Sequence, residues 1–418
     1  MSSSYLAPLA ALSLVLSGCT DPADGQTLTP NGQAARPIAR PAQPERPVVS
    51  FEEWRIGFRQ RALAQGITPA TFDRAFAGVS VNEVVLERDR YQPEFSRPIW
   101  AYLDRAASDT RIANGRENAA RYGARLDAIE ARYGVDKNVV LAVWGLESAY
   151  GDNMGSIPVI EAMATLAYEG RRRKFAEEQL IAALKILQSG DVTPERMVGS
   201  WAGAMGHTQF IPTSYADYAA DFGGDGQRDV WAFDPTDALA STANYLARFG
   251  WTRGQPAVIE VVLPPGFDYA LADQKIRRPV SAWRTIGIAS PGAPEVEAAV
   301  LLPAGAKGPA FLVLPNFRVI KRYNNATSYA LAVAHLAERI GGAGPFAGDW
   351  PRGDRALSRS EKEELQRRLT ALGYDTQGAD GIIGPNSRAA VRAFQQANGM
   401  IPDGYVSGSL LDRVRAGS

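Results

Sequence analysis

The chain has 418 residues, 45% of them hydrophobic, with 45 basic and 45 acidic side chains. That length allows two or three domains, and zero net charge gives no bulk attraction to nucleic acid or to an anionic surface. Two histidines, His207 and His335, and one cysteine, Cys19, exclude a Cys/His zinc site, an ordinary cysteine–histidine catalytic pair and an intramolecular disulfide. Carboxylates, hydroxyls and amides are left to carry any chemistry.

The first eighteen residues hold no acid and one short apolar run, too short to span a bilayer and similar to a secretory leader. "LSGC" resembles a bacterial lipobox, which makes Cys19 the expected lipidation site. The simpler reading is an ordinary leader, and the positive n-region is missing, since the first basic residue is Arg36. Thr20 after the cysteine, in place of Asp, implies sorting to the outer membrane, so the expected location is periplasmic and lipid-anchored. Residues 19–47, rich in Pro, Gln and Ala, have no apolar period and read as a disordered tether.

From 48 to 345 the pattern is mostly helical. Phe51, Trp54, Phe58 and Leu63 recur at helical steps, and Thr68-Pro69 starts another helix. "RENAARYGARLDAIEARYGV" reads as one amphipathic helix stopped near Gly134. "LIAALKILQSGDVTPERMVGSW" reads as helix, turn and helix start. "AVIEVVLP" and "AFLVLPNFRVIKRY" are the strand-like segments. Residues 346–356 form a linker of glycine, proline and charge. Residues 357–418 form a small unit of three helices, the first capped by Ser358 or Ser360, with Leu365, Leu369, Leu372, Val391 and Phe394 as its core.

The chemistry concentrates in "VVLAVWGLESAYG", 139–151. Asp136 caps a helix that is apolar almost all round, closed by Gly151, and Glu147 is its one acid. Burial of that carboxylate costs several kcal/mol when it ionises alone, so its pKa rises. A neutral carboxylic acid in an apolar wall is what general-acid cleavage of a glycosidic bond requires. The alternatives are a Glu facing water at the helix end, or one satisfied by nearby backbone amides. In "GSWAGAMGHTQFIPTSY", Gly199, Gly203 and Gly206 permit close backbone approach, while Gln209, Thr213 and Tyr215 offer neutral hydrogen bonds. Such a set suits a groove for a neutral sugar chain; a helix–helix contact through the small residues is the alternative.

"WGLESAYG", "SWAGAMGHTQFIPTSY", "STANYLARFGW" (241–251) and "KRYNNATSYALAVAHLA" (321–337) occur in that order. Together they resemble the B-type membrane-bound lytic transglycosylases of bacterial cell walls, over most of 48–345. The resemblance implies a mainly α, lysozyme-like α+β catalytic domain with a small β element, acting on the MurNAc–GlcNAc β-1,4 bond of peptidoglycan glycan strands. It makes Glu147 the single catalytic acid, places Ser200 and Gln209 in the saccharide groove, and sets Tyr323 and Asn324 near the acid. "YNNATSYA" departs from the family's usual "YNxSxxYA", with Ala326 in place of the serine. No motif offers a second carboxylate, and the resemblance implies ring closure to a 1,6-anhydro product. Hydrolysis by water, as in a muramidase, and a catalytically silent wall-binding lipoprotein are the alternatives.

No cofactor is required on this reading, but "DFGGDGQRDVWAFDPTD" opens like an EF-hand loop. Gly223 and Ala232 lack the ligands such a loop needs at its third and twelfth positions. Some members of the family the chain resembles bind calcium in this loop through a later aspartate, which corresponds to Asp237 across two extra residues; on that resemblance Asp221, Asp225, the Gln227 carbonyl and Asp237 would make a reduced structural calcium site, or the aspartates simply hold a glycine-rich turn. At the C-terminus, "DGIIGPNSRAAVRAFQ" resembles the three-helix peptidoglycan-binding domain.

Overall fold

The computed structural model describes residues 49–90 and 98–417. The leader, the tether and the lipidation expected at Cys19 lie outside the described residues. Among the described residues, no helix is long and apolar enough to cross a membrane.

Helix caps set the frame. Ser50 and Glu53 close a reciprocal capping box on helix Phe51–Ala64, and Thr68 caps Pro69–Ala75. Their aromatic faces meet, with the Phe58 ring 6.1 Å from Phe72 and 6.0 Å from Phe76. The stretch read as one helix before Gly134 is two, Asp109–Arg121 and Gly123–Tyr133. The break at Tyr122 turns its buried ring edge-on to Trp144. Helix Lys137–Ser148 follows, capped by Asp136, and is buried continuously from Val139 to Gly145. It lies against helix Thr327–Ile340 at the centre of the main core. Helices Val159–Glu169 and Arg173–Ser189 form a hairpin around Gly170, which takes a left-handed φ of 88°.

Two readings need correction. The segment after Thr193 starts no helix; it leads into a two-residue strand, Val198–Gly199, paired antiparallel with Ile157–Pro158. "AFLVLPNFRVIKRY" is a strand only over Ala310–Val313, after which Pro315 opens helix Pro315–Tyr323. Proline at a first helical position loses no needed hydrogen bond and has its φ already set, so the helix begins two residues after the strand ends. The sheet has four antiparallel strands in the order Val258–Val261, Ala310–Val313, Glu297–Leu301, Arg278–Pro279. It closes over a second, small core around Trp283 and Phe267.

The C-terminal unit has helices Arg359–Ala371, Pro385–Ala397 and Gly408–Arg415 around Leu365, Leu369, Val391 and Phe394. Ser358 supplies the first cap, in a capping box with Glu361. Leu372, expected in this core, is 44% exposed because the helix stops one residue earlier.

The linker carries no slack. Both Glu260 carboxylate oxygens accept N–H bonds at 2.7 Å, from Ala347 and Gly348. Phe346 stacks on His335 at 3.9 Å, Trp350 packs near Trp100 and Phe311, and Arg352 grips Asp104 with two bonds. Beyond it, Asp403 accepts from the Ala306 N–H at 2.8 Å, pinning the C-terminal unit to the sheet subdomain.

Candidate active site

Glu147 stands in the last turn of helix Lys137–Ser148. The chain leaves that helix through two left-handed non-glycine residues, Ala149 (φ 52°) and Tyr150 (φ 62°), rather than closing at Gly151 as expected. Each such conformation costs on the order of 1–3 kcal/mol and persists only where its surroundings fix it. Here Tyr150 folds back over the helix, its ring edge-on to Trp144 at 5.4 Å and its hydroxyl donating to Arg111 O at 2.8 Å. Gly145 makes that possible, since a Cβ there would lie 2.6 Å from the Tyr150 ring. The spacing of "WGLESAYG" thus encodes a bent-back exit directly after Glu147.

The second motif is tied to this exit. Trp144 Nε1 donates to His207 Nδ1 at 3.1 Å, so the Nε2 proton of the ring is assigned to Ala232 O, 2.7 Å away. Burial holds His207 below the usual histidine range, in the neutral form. Ser148 Oγ donates to His207 O at 2.5 Å and accepts from Gly151 N. Gly206 lets the loop pass; a Cβ there would sit 2.3 Å from Val230 O.

Glu147 itself is half-buried and, among the described residues, has one side-chain partner: Tyr329 donates to its Oε1 at 2.6 Å. Burial raises its pKa to about 7, and the Tyr329 bond opposes that rise. Among the described residues, no second carboxylate bears on this shift. The Glu147 charge in turn helps raise Tyr102, to about 12, and Tyr323 and Tyr329, burial being the larger cause in each. A single acid ringed by phenols, half-protonated near neutrality, suits transfer of a proton first out and then back.

The expected groove residues divide by what their polar atoms already do. Ser200 Oγ accepts from Ala202 N and Ala204 N, so its proton remains to donate. Gln209, at a left-handed φ of 55°, spends Nε2 on Met154 O and Gly206 O, while Oε1 accepts nothing among the described residues. Asn324 Oδ1 caps Ala326 N, and its Nδ2 has no partner there. The Tyr323 hydroxyl is committed to Thr208 O at 2.5 Å. Thr213 and Tyr215 do not belong to this set. Thr213 bonds Gln179, and Tyr215 is fully buried with its hydroxyl on Arg228 O.

A model of the Transglycosylase SLT domain matches residues 50–338, and one of a peptidoglycan binding domain matches 358–414. The chain belongs to the SLT transglycosylase family. Membrane-bound lytic murein transglycosylase B of Escherichia coli (strain K12) is 33% identical over 244 residues, 57% of this chain and 66% of that protein, just under two thirds of its length. SltB3 from Pseudomonas aeruginosa, solved in complex with NAG-anhNAM-pentapeptide, is 54% identical, with a TM-score of 0.84 over 88% of this chain and 99% of that one. Escherichia coli lytic transglycosylase Slt35, solved in complex with calcium, is 28% identical, with a TM-score of 0.61 over 69% of this chain and 92% of that one.

Within this SLT transglycosylase fold, Tyr329 is the residue that sequence reasoning missed as Glu147's partner. The signal was present in "YNNATSYA", whose second tyrosine the resemblance matched without giving it a task. Tyr102 had no such signal. The acidic loop also closes as a cluster: one carboxylate oxygen each from Asp221, Asp225 and Asp237 lie within 4.8 Å of one another. Backbone N–H groups already hold them, from Gly224 and Gly226 to Asp221, from Gln227 to Asp225, and from Phe222, Gly223 and Asp229 to Asp237. Burial, with a smaller push from Asp221, raises the Asp237 pKa despite those donors. Three converging hard oxygen donors whose charges repel fit a hard cation.

Proposed function

We propose that this protein is a lytic transglycosylase that cuts the MurNAc–GlcNAc β-1,4 bond of peptidoglycan and leaves 1,6-anhydro-MurNAc ends. The observation that carries the reading is Glu147, held near pKa 7 by burial beside a phenol and, among the described residues, without a companion carboxylate. Protonated Glu147 gives its proton to the glycosidic oxygen as the C1–O4 bond breaks. A retaining hydrolase would trap the developing cation with a second carboxylate about 5–5.5 Å from the first; here the substrate's own acetamido oxygen closes on C1 instead. Ionised Glu147 then takes the proton of the MurNAc C6 hydroxyl, and O6 displaces the acetamido oxygen from C1. The proton returns to Glu147 and no water is consumed. Ser200, the free oxygen of Gln209 and the free amide of Asn324 position the neutral sugars, while Tyr323 and Tyr329 fix the acid's surroundings.

Residues 48–345 form the catalytic domain on this reading, and 357–418 the wall-binding domain. The Cys19 anchor places both at the periplasmic face of the outer membrane, in keeping with the name of the membrane-bound relative. Asp221, Asp225 and Asp237, with the Gln227 carbonyl, would hold calcium as a structural ion. An ion held there would stiffen the loop after the second motif and supply no step of the reaction.

Mass analysis of sacculi digested in heavy-oxygen water tests the reaction. Anhydro ends without label are expected; labelled reducing ends would assign the chain to the muramidases.

A further inference from the structure

Trp144 and Ser148 lie one turn apart on helix Lys137–Ser148 with Glu147 between them, and both are tied to one buried residue, His207. An indole N–H can only donate, so Nδ1 of His207 is the acceptor, and Nε2 carries the proton given to Ala232 O. The ring stands edge-on to Trp144 at 5.6 Å. The main chain of His207 is engaged as well: its carbonyl takes the Ser148 hydroxyl, and its N–H donates to Val230 O at 3.0 Å. Gly151 lies close against the ring, where a Cβ would be 2.7 Å from His207 Cε1 and Nδ1. One residue therefore commits both ring nitrogens and its own N–H and carbonyl to two places, the turn that follows Glu147 and the loop 230–232.

That turn is strained, since Ala149 and Tyr150 are left-handed without being glycine, and such backbone persists only where its surroundings over-determine it. Tyr150 fixes one side through Arg111 O; His207 fixes the other. The loop that His207 grips is itself anchored, because Trp231 Nε1 donates to Val198 O at 2.9 Å, in the strand that leads into Ser200. Two residues past His207, Gln209 bonds back to Gly206 O. The helix that bears the acid and the segment that bears Ser200 and Gln209 thus meet at one residue, and reacting groups lose rate steeply when such a spacing slips by about an ångström. We propose that His207 is a positioning residue for Glu147, holding the exit turn of the acid's helix against segment 200–209 so that the carboxyl keeps its burial and its Tyr329 bond. His207 acts through that turn rather than on the sugar, a role that rests on Glu147 being the acid of the reaction proposed above.

The test uses the full chain on peptide-free glycan oligomers and reads rate and pH profile together. His207→Gln keeps an amide nitrogen where Nε2 stood, for Ala232 O, and leaves the Trp144 N–H without an acceptor. His207→Asn keeps an amide oxygen where Nδ1 stood, for Trp144, and gives up Ala232 O. In His207→Gln, kcat should fall about 10²-fold with KM unchanged, and His207→Asn should recover most of that loss. The alkaline limb of kcat/KM in His207→Gln should move down from about 7 toward the ordinary 4.5, since burial, the larger influence on Glu147, is what a loosened turn gives up. Tyr102, Tyr323 and Tyr329, whose values the Glu147 charge helps raise, stay neutral phenols in that range and add no limb of their own. The position of the limb does not depend on how much of the chain is folded. Trp144→Phe breaks the same bond from its other end and should move the limb the same way. A limb that stays near 7 in both, a loss carried by KM, or equal rates for the two His207 variants overturns the proposal. Cleavage by Glu147→Gln at the native rate sinks the reading of the acid itself, whereas a Glu147-dependent chain with an unmoved limb sinks the role of His207 alone.

Discussion

Glu147 and Glu361 are the same side chain placed at opposite ends of a helix, and the two regions treat it in opposite ways. In the C-terminal unit, Glu361 sits in the first turn, where the helix dipole favours an anion. It accepts two bonds from Arg355 and one from Ser358 N, and the Arg355 bonds lead in holding it down to about 2. In the catalytic region, Glu147 sits in the last turn, where the dipole disfavours an anion, and receives one phenol. The first arrangement stabilises a fold of about sixty residues that is at the lower limit for an independent core. The second withholds partners, so that a proton stays available near neutral pH. A carboxylate's task here is set by what surrounds it.

The sharpest way to break the contrast is Glu147→Gln. Cleavage of sacculi should fall at least ~10³-fold, within the range that general acid–base groups contribute, while sacculus binding persists. The variant should also melt higher than the native chain at pH 8. The sign follows from the raised pKa: the native fold binds a proton that the unfolded chain has released, so stability declines as pH rises from about 4.5 through about 7. Glutamine removes that penalty. Unchanged cleavage by the variant would end the catalytic assignment.

Phe394→Ala attacks the other region. Phe394 is fully buried in the C-terminal core, and truncation of such a ring costs about 3–5 kcal/mol. Proteolysis should then nick residues 357–417 first, and retention on insoluble wall should drop, with turnover of short peptide-free glycans preserved. Loss of that turnover would mean the SLT domain cannot stand without the unit strapped to it.

Tyr329→Phe sharpens the account of the acid. The phenol donates to the ionised carboxylate, so its removal favours the protonated form and should move the alkaline limb of kcat/KM upward from about 7. A displacement of up to about one pH unit corresponds to ~1.4 kcal/mol of that bond. A limb that stays in place would show that burial alone sets the acidity.

These predictions draw on both what the sequence made legible and what it hid. Caps at Thr68, Asp136 and Ser358 were readable because a short polar side chain just before an apolar period has few other uses. Glu147 was readable because its own neighbours left it unpartnered. Tyr329 was not, since its pairing with Glu147 spans 182 residues and depends on two helices meeting. Strand Glu297–Leu301, "EAAVL", carries two alanines and no alternation, and only its burial between two partners makes it a strand. The grip of Glu260 on the linker spans 88 residues, so a glycine-rich run that reads locally as slack is held by a distant carboxylate.

The smallest expected effect is at Glu361. Its side chain is about one-fifth exposed and its Arg355 partner about half, so solvent screens the pair; exposed pairs are worth ~0.2–1 kcal/mol. Its folded pKa is depressed, so the stability it adds is present above about 4.5 and fades as pH falls through about 2. Glu361→Gln should therefore lower the melting temperature of residues 357–417 slightly at pH 7, and native and variant curves should converge near pH 2. Glutamine keeps a side-chain oxygen for the Ser358 N–H, so the capping geometry survives and the difference reports the charge. If the two curves instead stay parallel down to pH 2, the Arg355–Glu361 pair contributes nothing that depends on ionisation, and the contrast with Glu147 reduces to burial alone.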